Sequence, residues 1–476
     1  MLFSSVEFIL VFMPLFLIVY YLTPAKYKNY ILLTGSLIFY AYGGLKDLAL
    51  LLLSLIVNYS LSKCIGEWRK DSLGKIILTV SVILNVSVLG IYKYGGLILE
   101  ALGRDGEHTI TGFGSLSAMP LGLSFYTFQI LSYLIDMYRG EVPQDVSFSK
   151  YAVYISMFPR LVQGPMFQYS RVGRALEGRH ITIYDIQNGL KTFTIGLAAK
   201  VLLADRIGLL WRDIQVTGIV SISTGRAWLG MIAYSLQLYF DFCGYSIMAV
   251  GVGRMLGFEL PANFDSPYMS KSIREFYRRW HITLGEWFKK YVYIPLGGSR
   301  NGDVATIINL GVVWLFTGMW HGSTFNFIIW AAILYTCIVL ERVIGENMSG
   351  ALSGLSKRSF LYYVLDVVKH IYVLIIIGIS WVCFALPNLN ELFEYLGRMF
   401  GFVSGVNIRP RDFLTTLGDY WYILLGCIIC STGIVGKLYE RYRENIVCKL
   451  ILAVLFWFCV WRVIVEGNNT FMYSKF

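Results

Sequence analysis

Long runs of apolar residues recur along the whole 476-residue chain. Hydrophobic residues make up 56% of it and charged residues only 15%, whereas a soluble domain carries about 25% charged residues. A helix needs about 20 consecutive apolar residues to cross the hydrocarbon core of a bilayer. Because backbone groups in lipid must find hydrogen-bond partners within the protein, the runs predict helices and an all-α polytopic membrane protein.

The apolar runs predict ten to twelve crossings, because some of the twelve runs can be broken or re-entrant. The expected spans lie near residues 6–23, 29–44, 46–62, 76–92, 119–137, 185–211, 226–256, 304–320, 325–340, 362–386, 418–436 and 447–465. Residues 151–166 are short and are interrupted by Pro159 and Pro165. Since proline breaks a helix, this segment predicts a re-entrant hairpin or a cavity lining.

Basic residues give the chain a net charge of +11. In a soluble protein this excess would suggest a nucleic-acid partner. Here Lys26 and Lys28 follow the first span, and Lys63, Arg69 and Lys70 follow the third. The positive-inside rule explains such clusters as cytoplasmic loops. We therefore expect the lipid bilayer, and no nucleic acid, as the surroundings of the chain.

The stretch from Val304 to Leu340 contains no Asp, Glu, Lys or Arg, yet His321 lies near its middle. A titratable group at such a position is a functional candidate. Gly318 and Gly322 flank it and allow backbone or substrate to come close. A neutral imidazole suits general-base catalysis, because its pKa is near the operating pH and desolvation lowers it. The alternative is a buried histidine that only hydrogen-bonds a neighbouring helix.

Residues 272–292 predict an amphipathic helix that lies in the membrane interface and ends before Pro295. His281 falls at the edge of its apolar face, where the two faces meet. The basic face has two compatible interpretations: it fixes topology beside anionic lipid, or it docks an anionic cytoplasmic donor such as coenzyme A. Its basic residues are Arg274, Arg278, Arg279, Lys289 and Lys290.

Further polar residues interrupt apolar segments. Tyr126 and Gln129 lie on the apolar helix expected after Pro120 and are candidates for lining a substrate path. Asp241 lies within the span 226–256, and a buried carboxylate needs a partner. Pairing with an arginine and a role in a substrate tunnel are both open for it. The C-x-x-C of Cys427 and Cys430 lacks a second pair or a histidine cluster, so no metal site is expected.

Four stretches together resemble the membrane-bound O-acyltransferase family, in particular its bacterial alginate O-acetyltransferase branch. They are Pro120–Gly140, Phe158–Pro165, Asn263–Gly298 with its R-R-W-H, and Gly318–Gly322 with its W-H-G.

The resemblance implies one transmembrane domain, residues 1–476, whose motif-bearing core covers about residues 120–330. It implies a ring of helices around a central tunnel, joined by re-entrant and interfacial helices. His321 matches the catalytic histidine of the family and His281 its second characteristic histidine. Trp320 in the W-H-G motif, Asn326 just after it, and Arg278 and Arg279 in R-R-W-H are then candidates for contact with substrate or tunnel.

We therefore expect acetyl transfer from cytoplasmic acetyl-CoA across a bacterial inner membrane, for O-acetylation of an exported or cell-wall polysaccharide. In this branch a separate extracytoplasmic partner of the serine-hydrolase type often takes part. No tightly bound cofactor is expected, since acetyl-CoA or another acyl thioester is a substrate. The alternatives are D-alanyl transfer to teichoic acids from a carrier-protein thioester, and a glycan or lipid transporter without catalysis.

Overall fold

The computed structural model describes residues 1–101, 119–352 and 360–467. Within these ranges the chain is helical, and the only β-type pairing is an isolated antiparallel bridge between Phe264 and Trp280. The predicted all-α polytopic membrane protein is confirmed. The described residues form two compact units. The expectation of a single domain stays a prediction.

The first unit comprises the described residues of Met1–Leu197, Tyr245–Pro261 and Phe456–Lys475. Its helices are α1 (Met13–Leu22), α2 (Lys28–Ala41), α3 (Leu45–Trp68), α4 (Ser72–Ala101), α5 (Leu123–Arg139), α6 (Phe148–Ser156), α7 (Phe158–Leu161), α8 (Tyr169–Glu177) and α9 (Ile183–Ala198). A π-helical segment, Glu7–Phe12, precedes α1, and a 3-10 turn, Ala25–Tyr27, precedes α2.

The second unit comprises Ala198–Gly244 and the described residues of Ala262–Leu455. Its helices are α10 (Asp205–Thr217), α12 (Ile273–Arg279), α13 (Ile282–Phe288), α14 (Gly302–His321), α15 (Phe325–Leu352), α16 (Phe360–Ala385), α17 (Leu389–Met399), α18 (Asp412–Ser431) and α19 (Ile434–Tyr442). The assignment to units changes within two further helices, α11 (Thr224–Met255) and α20 (Ile446–Glu466).

Seven of the described helices are long and apolar enough to cross a membrane: α3, α4, α14, α15, α16, α18 and α20. This is fewer than the expected ten to twelve crossings. The apolar run near 29–44 forms a helix of 14 residues and that near 119–137 one of 17 residues. Both helices are shorter than the roughly 20 residues that a helix needs to cross the hydrocarbon core. The run near 185–211 is divided by a π-helical segment, Ala199–Ala204.

Residues 151–166 form a broken helix, as their prolines predicted. The break lies at Met157, whose backbone is extended between α6 and α7. It turns the Phe158 ring into an aromatic cluster of the first unit, with ring centroids 5.3 Å from Phe16 and 5.4 Å from Phe39. The Phe158 N–H donates to the Ser36 hydroxyl at 3.1 Å, which satisfies a backbone group that the break leaves open.

Close packing of α14 against α15 depends on Gly318. A Cβ atom at this position would lie 2.9 Å from the Ala331 Cβ and 2.9 Å from the Phe327 carbonyl oxygen. The two backbones therefore come closer than any side chain would permit. The expectation that Gly318 permits close approach is confirmed, and this contact fixes the end of α14 beside the start of α15.

We predict that Gly318→Ala destabilises the protein by about 1–3 kcal/mol, because overpacking a tight contact forces backbone and side chains apart. Gly345→Ala is the matched control, since nothing lies within 4 Å of a Cβ built there. The control should be neutral or slightly stabilising, because alanine favours helix over glycine. Thermal unfolding of both variants in detergent is the measurement, and equal melting temperatures would contradict the packing argument.

Candidate active site

His321 is the last residue of α14 and is 6% exposed. The chain then turns through Gly322, whose backbone is extended, and re-enters a helix at Phe325. A Cβ on Gly322 would collide with the Phe327 ring at 2.0 Å. Because glycine has no Cβ, the Phe327 ring can pack directly against the turn at Gly322. The turn in this way places the His321 imidazole at the junction of two apolar helices.

Aromatic rings surround the His321 imidazole. Their centroids lie 4.6 Å away for Trp320, 4.9 Å for Trp330 and 5.0 Å for Phe384, all at steep interplanar angles. The Phe327 ring lies 6.4 Å away and nearly parallel. Edge-to-face packing of this kind fixes a ring's orientation and adds to the stability of the cluster. The imidazole is thus held rigidly in apolar surroundings contributed by α14, α15 and α16.

His281 lies at a break in the predicted amphipathic helix. The expectation of one continuous helix over 272–292 is wrong: α12 ends at Arg279, α13 begins at Ile282, and a π-helical segment follows. The preceding segment 263–265 competes for the backbone, because Asp265 N–H donates to the Arg279 carbonyl and Ile282 N–H to that of Asn263, both at 3.0 Å. This pairing replaces helical hydrogen bonds and forces the break.

The break places His281 in the left-handed region, at φ 45° and ψ 52°. A residue other than glycine pays about 1–2 kcal/mol for that conformation. It turns the ring inward, so the side chain is 3% exposed rather than at the edge of the apolar face. The Phe242 ring packs edge-to-face against the imidazole at 4.7 Å.

The Asn263 amide oxygen determines the tautomer of His281. The Asn263 Oδ1 lies 3.3 Å from the imidazole Nδ1 and also accepts from the N–H and the hydroxyl of Thr283, at 3.2 and 2.7 Å. Since this oxygen can only accept, Nδ1 carries the proton and Nε2 keeps its lone pair. Burial lowers the pKa of His281 to about 3, so the ring is neutral at physiological pH.

Trp320 joins the two histidines. Its ring centroid lies 4.6 Å from that of His321 and 6.3 Å from that of His281. The structure thus brings R-R-W-H and W-H-G, which are about 40 residues apart in the chain, into one row of rings. Both histidines and Trp320 belong to the second unit.

Asn326 lies beside this row with its amide engaged. Its Nδ2 donates to the Cys383 carbonyl at 2.9 Å, and its Oδ1 accepts from the Thr324 hydroxyl. Cys383 precedes Phe384, whose ring packs on His321. The amide therefore ties the start of α15 to the end of α16, which positions one wall of the histidine cluster.

The two arginines of R-R-W-H lie on the outer side of α12. Arg278 is exposed, whereas the Arg279 guanidinium pairs with Glu275 at 2.8 Å and donates to the Asp265 carbonyl at 3.4 Å. Arg279 thereby supports the pairing that breaks the helix at His281. Arg278 keeps its charge available to an anion, as either interpretation of the basic face requires.

Asp241 pairs with a lysine, whereas an arginine was the partner considered from the sequence. The Lys200 ammonium lies 2.6 Å from an Asp241 carboxylate oxygen and 2.7 Å from one of Asp205. Lys200 and Asp241 are 2% and 1% exposed. Three charges packed this deeply stabilise one another only as long as all remain.

Two of the candidate residues lie in the first unit. Tyr126 and Gln129 are buried on α5. Neither amide atom of Gln129 has a hydrogen-bond partner among the described residues. Whether either residue contacts a substrate stays a prediction.

Sequence reasoning missed the residues that orient the two histidines. Asn263 could have been suspected, because it is an amide in an apolar stretch within the R-R-W-H segment. Trp330 shares a helix with the residues after W-H-G, but an aromatic residue there is indistinguishable from ordinary core. Phe242 and Phe384 lie far from the motifs in the chain and carry no signal. Within the described ranges, no three His, Cys, Asp or Glu side chains are grouped to hold a metal.

We predict that acid destabilises the protein through His281. The pKa of its imidazole is 6.5 without burial and about 3 when folded. The unfolded chain therefore binds the proton more readily, and stability is lost as pH falls below 6.5, by about 2 kcal/mol at about pH 5. His281→Gln should shrink the fall in melting temperature between about pH 7.5 and pH 5, and exposed His180→Gln should not. An unchanged fall in His281→Gln would contradict the assigned pKa.

We also predict that Asp241→Asn destabilises the protein by about 3 kcal/mol, because Lys200 loses a partner at a buried site. The control is Glu440→Gln, which breaks an exposed pair with Arg443 and should change stability by no more than about 1 kcal/mol. Transfer activity should fall in Asp241→Asn only as much as the folded fraction falls. Lost activity with an unchanged melting temperature would instead support a direct role in the substrate path.

Comparison with known proteins gives the same answer as the motifs. A model of MBOAT, the membrane-bound O-acyltransferase family, matches residues 137–386. The chain is 35% identical over 446 residues to the probable alginate O-acetylase of Azotobacter vinelandii, covering 91% of this chain and 85% of that protein. It is 32% identical over 457 residues to the peptidoglycan O-acetyltransferase of Helicobacter pylori, covering 88% and 84%.

A shorter similarity extends to the teichoic acid D-alanyltransferase of Streptococcus thermophilus, at 30% identity over 243 residues, 47% of this chain and 56% of that protein. The residues matched by the family model include both histidines and Trp320. The chain therefore belongs to the membrane-bound O-acyltransferase family, and it is a multi-pass membrane O-acyltransferase.

Proposed function

We propose that this enzyme transfers an acetyl group from cytoplasmic acetyl-CoA for O-acetylation of an exported or cell-wall polysaccharide, and that it does so in a bacterial inner membrane. The observation that carries the proposal is that the Trp320 ring lies near both buried histidines. The relatives named as alginate and peptidoglycan acetylating enzymes support a glycan as the final acceptor.

In the proposed reaction, His321 is the general base. Its neutral imidazole takes the proton of the acceptor hydroxyl while the oxygen attacks the thioester carbonyl carbon. The C–O bond forms and the C–S bond breaks, and the departing thiolate of coenzyme A receives a proton from the imidazolium. The ring returns to its neutral state, so the step balances. General-base catalysis of this kind contributes about 10²–10⁴ in rate.

His281 is proposed as a positioning residue. With the proton on Nδ1, its Nε2 can accept a hydrogen bond but cannot donate one. It therefore suits contact with an N–H or O–H of the donor or acceptor, and not with a carbonyl oxygen that needs a donor. Its low pKa keeps this role constant across physiological pH.

The basic residues of the segment 272–292 are proposed as the approach for the donor. Exposed Arg278 and Lys289 carry charge that attracts the phosphates of coenzyme A. The same charges would attract the phosphopantetheine of a carrier protein. The acetyl group is proposed to reach the glycan through an extracytoplasmic serine-hydrolase-type partner.

D-alanyl transfer from a carrier-protein thioester is the second candidate. The similarity to a teichoic acid D-alanyltransferase favours it, but that similarity covers 47% of the chain against 91% for the alginate relative. A transporter without catalysis would not need an enclosed imidazole.

We predict that purified enzyme releases coenzyme A from labelled acetyl-CoA, that membranes which also contain the partner label the glycan, and that the enzyme ignores a D-alanyl-charged carrier. His321→Ala should lower kcat/KM for acetyl transfer by about 10²–10⁴, because it removes the general base. His180→Ala is the matched control and should keep full activity, since His180 is an exposed residue outside the row.

Two outcomes would overturn parts of this proposal. Normal acetylation by a folded His321→Ala variant would remove the catalytic assignment and leave the transporter. Transfer from the charged carrier but not from acetyl-CoA would move the activity to D-alanylation while keeping His321 as the base.

A further inference from the structure

A cavity of about 310 Å³ is lined by residues of the first unit, none of which is assigned to acyl transfer. The start of α2, the start of α6 and the end of α8 surround it. Three cations and one carboxylate line it together with polar groups. These lining residues include Lys26, Asn29, Ser147, Lys150, Glu177 and Arg179.

Arg179 is held in place by uncharged partners. Its Nε donates to the Tyr20 hydroxyl at 2.7 Å, and its Nη1 donates to the Asn29 Oδ1 at 2.8 Å and to the Ala175 carbonyl at 2.9 Å. The Phe258 ring lies 4.5 Å from the guanidinium carbon. These contacts fix the guanidinium without neutralising it, so an anion arriving in the cavity meets a cation that is already oriented.

A second cation lies close to Arg179. The Lys28 ammonium sits 4.8 Å from the Tyr20 ring that Arg179 also contacts. Burial and then the positive charge of Arg179 lower the pKa of Lys28. Two like charges held this close favour binding of an anion between or beside them.

Helix geometry adds to the positive potential. The helices α2, of 14 residues, and α6, of nine, both begin at the cavity. Their N-cap residues, Tyr27 and Ser147, give no side-chain cap to the helix backbone. The Lys28 N–H of α2 donates to the Ala25 carbonyl, but the helix dipole still favours negative charge at the start of both helices.

We propose that this cavity binds the phosphate of an anionic phospholipid headgroup. The lining includes the 55% exposed ring of Tyr30, and Leu22, three residues before the lining residue Ala25 in the chain, is 81% exposed. A lipid can place its phosphate among the cations and its acyl chains along this apolar surface. Lys26 and Lys28 belong to a loop that the positive-inside rule places in the cytoplasm, where the leaflet carries anionic lipid. A soluble phosphate compound carries the same phosphate group as the headgroup, but it has no acyl chains to contact the exposed apolar side chains.

The ion pair between Lys150 and Glu177 in the cavity does not prevent binding of the lipid phosphate. The Lys150 ammonium lies 2.6 Å from the Glu177 carboxylate, but the glutamate side chain is 66% exposed. An exposed pair of this kind contributes little stability, so Lys150 can exchange its partner for a phosphate.

The test uses the full-length protein, purified in a neutral detergent from membranes that contain phosphatidylglycerol. The amount of phosphatidylglycerol retained per protein is measured by mass spectrometry of extracted lipid. The double variant Lys26→Ala and Lys150→Ala should retain less by about tenfold, because two charges near the headgroup are lost. The matched control, Lys70→Ala with Lys75→Ala, removes two exposed lysines that do not line the cavity and should retain as much as the unaltered protein.

A competition arm distinguishes the two sources of phosphate. Inorganic phosphate and coenzyme A are added to lipid-loaded protein, and neither should displace the lipid. Equal retention by all three proteins would overturn the site. Displacement by either soluble compound, lost in the Lys26 and Lys150 variant, would overturn the lipid and assign the cavity to a soluble phosphate ligand. His321→Ala should retain lipid normally, so failure of the acyl-transfer proposal would leave this result unaffected.

Discussion

The contact of the Trp320 indole with two imidazoles is the interaction around which the site is built. It requires three backbone features at once. α14 must end at His321, which the extended Gly322 permits. α15 must lie close to α14, which Gly318 permits. The chain must also break between α12 and α13 at His281, and the backbone pairing of residues 279–282 with residues 263–265 imposes that break. Strain at one residue is therefore balanced by hydrogen bonds at its neighbours.

Charge is distributed to match this arrangement. α14 and α15 carry no Asp, Glu, Lys or Arg between Val304 and Leu340, the stretch that contains His321. Buried charge is kept elsewhere in the second unit, in the set of Lys200, Asp205 and Asp241. Burial keeps His281 neutral, and the Asn263 amide oxygen fixes which ring nitrogen carries the proton. The neutral His281 ring can then accept a hydrogen bond without adding a buried charge.

Much of this could be predicted from the sequence, for identifiable reasons. The apolar runs fix helices because lipid leaves the backbone no other choice, and the flanking glycines of His321 predicted the close approach seen at Gly318. The broken segment around Pro159 followed from proline chemistry. The break at His281 could not be predicted, because its amphipathic pattern is compatible with a continuous helix. Its cause is a backbone pairing with residues 14 to 19 positions earlier, which leaves no local signature. The lysine partner of Asp241 was also missed, because a lysine in an apolar run suggests the end of a helix and not a buried ion pair.

The neutral state of His281, with its proton on Nδ1, is the claim about the site that nitrogen-15 NMR of histidine-labelled protein tests most directly. Only five histidines are present, so single substitutions assign each signal. The account predicts that His281 keeps a neutral ring with its proton on Nδ1 from about pH 8 to about pH 5, because its pKa is about 3. An imidazolium at His281 near pH 6, or a proton on Nε2 instead, would contradict it.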